Sequence, residues 1–355
     1  MFLNGRGSCS PQLVTAHGVG DWSATAMAQH RHIIGQPGTG KTSLLFELFQ
    51  RDTTPGRLVI DTKGDLEIDH DFLFDPKVTR WNPLAEPIAA ELAPGFFAQA
   101  IKDAFGYDDM TTPVMSMYLT FTAAALIDNG FNLTDAPKLL TDAGFRDRLQ
   151  YKTPLVQQFW QSFEAMGERD RRGETASTLN KFIGLLLDGR VHRLLSVNRK
   201  GLRLSALADK TTLVRLPISE YGTDTVALIG SLLLSYLAQI IDAPFSIYVE
   251  DANLFARGTL IKMLTTGSIS LTLSHQYLDQ FDPKLLSAMM GNCSARFVFR
   301  VSQQDAADLS QFLAPMSSKA RLDELTSFRY RSIPQDRMAP DGVTVPREKE
   351  DEGIL

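Results

Sequence analysis

The sequence predicts an α/β fold: a mainly parallel sheet, covered by helices on both faces, with an all-helical insertion. Three observations predict it. Short apolar runs alternate with helical stretches near the start of the chain and again over its second half, the pattern of strands buried on both faces. Between these regions, from about Glu86 to Arg190, apolar residues recur only at helical spacing. A glycine-rich turn, Gly35 to Thr42, joins one apolar run directly to a helical one.

Composition sets the bounds. The chain of 355 residues is 44% hydrophobic and 22% charged, ordinary for a globular protein and long enough for one large domain or two moderate ones. A formal net charge of -5 counts against a polycation that coats nucleic acid, though not against a local basic channel. Cys9 and Cys293 lie far apart, which argues against a secreted disulfide framework and for a reducing compartment. Met1 to Gln12 holds no apolar run long enough for a signal peptide. Thr225–Ile241 carries no charge but falls just below spanning length. With strand-like segments on both sides it reads as a buried crossover helix, so a cytoplasmic chain without a membrane span is expected.

Taken in order, residues 1–30 are mixed and rich in Gly and Ser, and read as a lead-in of low order. His32–Ile34 ends a buried strand, and Ser43–Phe49 opens a helix. A second strand, Arg57–Asp61, runs into the turn Thr62-Lys63-Gly64-Asp65-Leu66. That turn falls at the C-terminal edge of a parallel sheet, where open α/β folds place ligands. Helical spacing marks Gly95–Phe105, Val114–Ile127, Lys138–Leu149, Leu155–Met166 and Thr175–Leu187, while the locally neutral Glu168–Glu174 reads as an exposed turn. Strands return at Thr212–Leu216, Phe245–Glu250, Ser268–Ser274 and Ala295–Val301. The expected organisation is a core made of 31–85 and 191–333, an all-α insertion over 86–190, and a disordered tail over 334–355.

Gly35-Gln36-Pro37-Gly38-Thr39-Gly40-Lys41-Thr42 is a complete G-x-x-x-x-G-K-[ST] phosphate loop. The strand before it and the helix after it aim backbone N–H groups and the positive helix end at one spot. Glycines at 38 and 40 permit torsions and close approach that a Cβ would obstruct. Lys41 would reach the β- and γ-phosphates, Thr42 would place a hydroxyl on Mg²⁺, and Ser43 closes the nucleotide-binding set.

Such a loop needs a second acidic site, for the metal's water shell and for a base. Glu250 and Asp251, at the end of an apolar strand, supply it, Glu250 serving the metal and Asp251 polarising water. The shorter Asp reaches less far than a Glu would. Gln276, after the next strand, is the candidate phosphate sensor, with His275 a second choice. On Ala295–Val301 strand alternation puts Phe297 and Phe299 on one face and Arg296, Val298 and Arg300 on the other. Arg300 reads either as an arginine finger reaching a neighbouring subunit's phosphate or as a surface arginine. Arg190, Arg193, Arg199, Lys200 and Arg203 form a basic stretch that reads equally as a phosphate-backbone strip or a solvated face.

The ordered set HIIGQPGTGKT, VIDTKGDL, RWNPL, a helical insertion, LVRLP, a long apolar helix, FSIYVEDANLF, LTLSHQYLDQF and GNCSARFVFRVSQQDA resembles the FtsK/HerA superfamily of DNA-pumping ATPases. It is most similar to the cytosolic part of the conjugative coupling proteins of type IV secretion, over roughly Arg31 to Leu313. The resemblance implies a RecA-like core, ATP and Mg²⁺, a ring of six subunits and DNA passing through its centre. Carried over by position, it makes Lys41 and Thr42 nucleotide and metal ligands, Glu250 and Asp251 the second acidic motif, and Gln276 the sensor. This chain departs from the pattern twice: many coupling proteins carry N-terminal membrane helices, and the family's acidic pair runs Asp then Glu. A secretion channel or relaxase is the partner implied by conjugation; a nuclease is implied by a soluble HerA-like motor of repair or defence. The reversed acidic pair leaves open a third reading, an assembly or switch protein that hardly hydrolyses ATP.

Overall fold

The computed structural model describes residues 30–107, 112–255, 257–265 and 268–313, together with two strands before them. The strands are β1 (Gln12–Thr15), β2 (Gly18–Val19), β3 (His30–Ile34), β4 (Gly56–Asp61), β5 (Phe72–Phe74), β6 (Thr211–Arg215), β7 (Phe245–Val249), β8 (Ile269–His275) and β9 (Ala295–Val298). They form one sheet in the order β2-β1-β9-β3-β8-β7-β4-β6-β5. From β9 to β5 every pairing is parallel, as expected. The expectation of low order before residue 30 fails for β1 and β2. They pair antiparallel with each other and β1 with β9, covering an edge that would otherwise expose unpaired backbone groups. The expected disordered tail lies outside the described residues.

Alternation along the strands feeds two cores. Leu58 and Ile60 of β4 and Ile247 and Val249 of β7 face one cluster, while Val59 and Tyr248 face the other. The smaller cluster is closed by α1 (Lys41–Arg51) through Leu44, Leu45, Leu48 and Phe49, one helical stripe packed on Ile33 and Phe297. The larger face holds α10 (Thr223–Ile240), the crossover between β6 and β7. By length and composition alone α10 could cross a membrane, but it is packed inside the protein. Its Gly230 lies so close to Phe255 that a Cβ there would come within 2.2 Å of the ring.

The regular elements described in the insertion are helices, among them α2 (Ala93–Phe105), α3 (Pro113–Asn129), α4 (Ala136–Thr141), α5 (Ala143–Arg146), α6 (Pro154–Ala165) and α7 (Glu168–Leu186). Two expectations are corrected here. The helix expected over Lys138–Leu149 breaks at Asp142, whose carboxylate accepts the Phe145 N–H and caps α5. Glu168–Glu174 is not a turn but the start of α7. Glu168 and Asp170 sit in its first turn, favoured by the helix dipole, and Glu168 pairs with Arg172 one turn on. The insertion shares the larger core with the sheet. The Trp81-Asn82-Pro83 corner ties the two: Asn82 Nδ2 donates to the carbonyls of Phe131 and Asn198, both at 3.1 Å, and Trp81 Nε1 donates to the Glu86 carboxylate at 2.8 Å. Burial pushes that carboxyl above its ordinary pKa. Short helices follow, α8 (Gly189–Leu195) and α9 (Ile218–Tyr221), with α11 (Arg257–Thr265) and α12 (Pro283–Asn292) after β7 and β8.

The chain forms two compact units, residues 1–301 and 302–355, so the expected core segment 191–333 spans their boundary. Described in the second unit is α13 (Gln303–Leu313), whose start is capped by Ser302, its hydroxyl accepting the Asp305 N–H at 3.0 Å.

Candidate nucleotide site

The C-terminal ends of β3, β4, β7 and β8 bring together the loop 35–42, the turn 62–65, the pair 250–251 and Gln276. The loop is held from both sides. The Gly35 N–H donates to His275 O at 3.4 Å, and the Gln36 N–H to Arg300 O at 2.8 Å. Gly35 is required by close approach, since a Cβ would stand 2.5 Å from Phe299 Cβ. Gly40 is required by its torsion, φ 103°, in which it starts α1 without a side-chain cap. The first N–H groups of α1 are therefore left to a ligand. Lys41 Nζ donates to Gln36 O at 3.0 Å, as does Thr39 Oγ1 at 2.8 Å. Burial and the Lys63 ammonium lower the Lys41 pKa, against the pull of Asp251 and Glu250. Pro37, Gly38 and Ser43 are exposed. Ser43 lines, with Thr42 and Asp65, a groove of about 210 Å³.

β7 stops at Val249, one residue short of expectation, and buried Glu250 follows it. Its Oε1 accepts from the Thr42 hydroxyl and from Lys63 Nζ, while its Oε2 is buried without a partner. Asp251 adopts φ 48°, ψ 51°, the one non-glycine positive φ among the described residues. Asp tolerates this region better than most residues, and held backbone strain clusters at functional sites. Here the bend places Asp251 Oδ2 2.9 Å from the Thr62 hydroxyl, which donates to it.

The donor set fits a divalent cation. A hydroxyl and a buried carboxylate with an orphaned oxygen meet beside the phosphate loop, and Asp61, Asp65 and Glu250 each offer an oxygen within 4.8 Å of the others. Asp61 itself is committed to structure: its carboxylate accepts the N–H groups of Lys63, Gly64 and Leu66 at 3.0, 2.7 and 3.1 Å.

Other sequence candidates fall in different surroundings. Gln276 follows β8, half-buried, at the same edge. His275 is fully buried, stacked on His32 with ring centroids 4.8 Å apart and Nε2 atoms 2.5 Å apart, so it supports the loop from beneath. β9 stops at Val298, earlier than expected; beyond it the Phe299 N–H donates to Ile34 O of β3 and the Arg300 carbonyl accepts from the Gln36 N–H of the loop. Arg300 is exposed, and its Nε donates to Gln36 Oε1 of its own chain at 2.8 Å. The basic stretch is not one strip. Arg190 is paired with Asp188 and lies 4.3 Å over the Tyr221 ring, while Arg199 sits against Gly130 at the end of α3. Thr62 and Lys63 were not singled out in the sequence as site residues; their place in a turn at the sheet edge was the available signal.

No protein-family model matches the chain, and no curated protein matches it. Solved structures do, and they define the class: an α/β, RecA-like P-loop core. The plasmid coupling protein TrwB in complex with the GTP analogue GDPNP superposes with a TM-score of 0.61 at 13% identity, over 88% of this chain and 79% of that one. TrwB in complex with ADP and Mg²⁺ gives 0.61 at 14%, with the same coverage. VirB4 of Thermoanaerobacter pseudethanolicus gives 0.55 at 11%, over 90% of this chain and 91% of that one. These likenesses bear out the expected RecA-like P-loop core.

Proposed function

We propose that this protein is an ATP-hydrolysing DNA translocase, a coupling ATPase that moves DNA through a six-membered ring of identical subunits, as in conjugative DNA transfer. One observation carries the reading: at one edge of a parallel sheet, a phosphate loop with Lys41 and Thr42 faces the carboxylates of Glu250 and Asp251. Its fold likeness to a plasmid coupling protein and to VirB4 supports the setting. Lys41 and the N–H groups opening α1 would hold the β- and γ-phosphates. Thr42 and Glu250 would hold Mg²⁺, which neutralises phosphate charge when bound. Asp251, steadied by Thr62, would orient and polarise the attacking water. Gln276 would contact the terminal phosphate, and Arg300 would act on a neighbour's nucleotide. The ring would work at the cytoplasmic side of a secretion channel with a relaxase, or with a nuclease if the protein serves repair or defence.

The test is the ATPase rate alone, with single-stranded DNA and with double-stranded DNA, against a Lys41→Ala control. The expected result is DNA-stimulated turnover that Lys41→Ala abolishes. Nucleotide binding with turnover no higher than the control under all three conditions would overturn the motor reading. It would favour a slow nucleotide-bound switch, to which the Lys63–Glu250 contact lends support.

A further inference from the structure

Lys63 holds a position the proposed nucleotide chemistry leaves unexplained. Its ammonium is ion-paired with Glu250 and donates to Thr42 Oγ1 at 3.0 Å. Those are the two groups the site would offer a metal. A lysine there is no accident of a floppy side chain. Its backbone is pinned, because the Lys63 and Gly64 N–H groups both donate to Asp61. Gly64, at φ +81°, turns the chain back with Pro217 beneath it. Neighbouring Thr62 meanwhile holds Asp251, so one turn grips both acids.

We propose that Lys63 is a built-in counter-cation that occupies the metal's place when no nucleotide is bound, and that Mg²⁺ must exchange with it before Mg-nucleotide seats. The proposal rests on the nucleotide reading above. A buried carboxylate without a cation is costly, and the Lys63 ammonium paired with Glu250 supplies one. Only the side chain has to move on exchange, since the turn's backbone is held by Asp61. The released ammonium has a second carboxylate at hand: exposed Asp65 carries an oxygen within 4.8 Å of one on Glu250.

The experiment is binding of a fluorescent ADP, titrated with Mg²⁺, to the wild type, to Lys63→Met and to Glu250→Gln with and without Lys63→Met. Removing a competing unit charge should lower the Mg²⁺ concentration needed for half-maximal tightening by roughly tenfold. In the Glu250→Gln background Lys63→Met should lose this effect, because the partner that held the ammonium is gone. A second measurement needs no variant: amine labelling of the wild type read by mass spectrometry should modify Lys63 faster with Mg²⁺ and ADP than without. If Lys63→Met weakens binding by the same factor with Mg²⁺ and with chelator, Lys63 is a phosphate ligand and the exchange proposal is overturned. Unchanged labelling overturns it as well. If instead the wild type binds no nucleotide, the ATPase reading itself fails and the exchange falls with it.

Discussion

At residue scale the two acids that follow β7 make different contacts. Glu250 reaches Thr42 and Lys63 from the end of β7, while Asp251 is swung by its left-handed torsion onto Thr62. The proposed function gives the two carboxylates different work. Asp251→Asn is expected to keep nucleotide affinity and lower turnover by about two orders of magnitude or more, the scale of a positioned general base. Glu250→Gln is expected to weaken the Mg²⁺-dependent part of binding. Steady-state ATPase and nucleotide titration separate these outcomes, and equal effects of both changes on affinity would refute the division. A second residue-scale expectation concerns the histidine pair. Burial, then the neighbouring His275 and Arg296, hold the His32 pKa well below its ordinary 6.5, so His32 stays neutral in the fold. As pH falls through 6.5 the unfolded chain takes up a proton that the folded chain refuses. The contribution is therefore complete above that pH and is lost below it. Melting temperatures between about pH 8 and 5.5 should fall with pH, less steeply in His32→Gln; an identical slope in the variant would refute this.

At the scale of elements, the phosphate loop is shaped as much by β9 as by its own glycines. The chain after Val298 packs Phe299 against Gly35 and lends the Arg300 carbonyl to Gln36. Gly35→Ala would drive a methyl to 2.5 Å from Phe299 Cβ and 3.1 Å from Thr39 Oγ1. Overpacking of this kind costs about 1–3 kcal/mol, and the displaced loop should bind nucleotide more weakly. Because the contact is with Phe299 Cβ, trimming the ring with Phe299→Ala should give no rescue. Thermal denaturation and nucleotide titration of the single and double variants check both statements; full affinity in Gly35→Ala would show that the loop shifts without cost.

At the scale of the whole molecule the open question is what a second copy contributes. Arg300 is exposed and spends one donor on Gln36 of its own chain. In a ring, Arg300→Ala is expected to spare nucleotide binding and lower hydrolysis. Mixing it with Lys41→Ala is then expected to recover part of the activity, one subunit supplying the site and the other the arginine. ATPase of the mixture, with sizing in the presence of nucleotide and DNA, decides the matter. No recovery, or a monomer throughout, would confine Arg300 to positioning Gln36.

Much of this was legible in the sequence because it is local. The phosphate loop, its strand and helix, the acids ending β7 and the apolar strands each follow from residues a few positions apart, where torsional preference and periodicity act directly. Boundaries were less legible where one side chain competes with the backbone, as Asp142 does when it splits a predicted helix. The pairing of Lys63 with Glu250 spans 187 residues and that of Thr62 with Asp251 spans 189. Such contacts exist only because β4 lies next to β7 in the sheet. Strand order, set by how the whole core packs, decided which polar groups meet at the edge. Sequence alone determined the strand, glycine loop and helix that make a phosphate-loop motif; the tertiary structure decided that Lys63, Thr42 and Glu250 meet beside it, because contacts across the sheet edge depend on strand order.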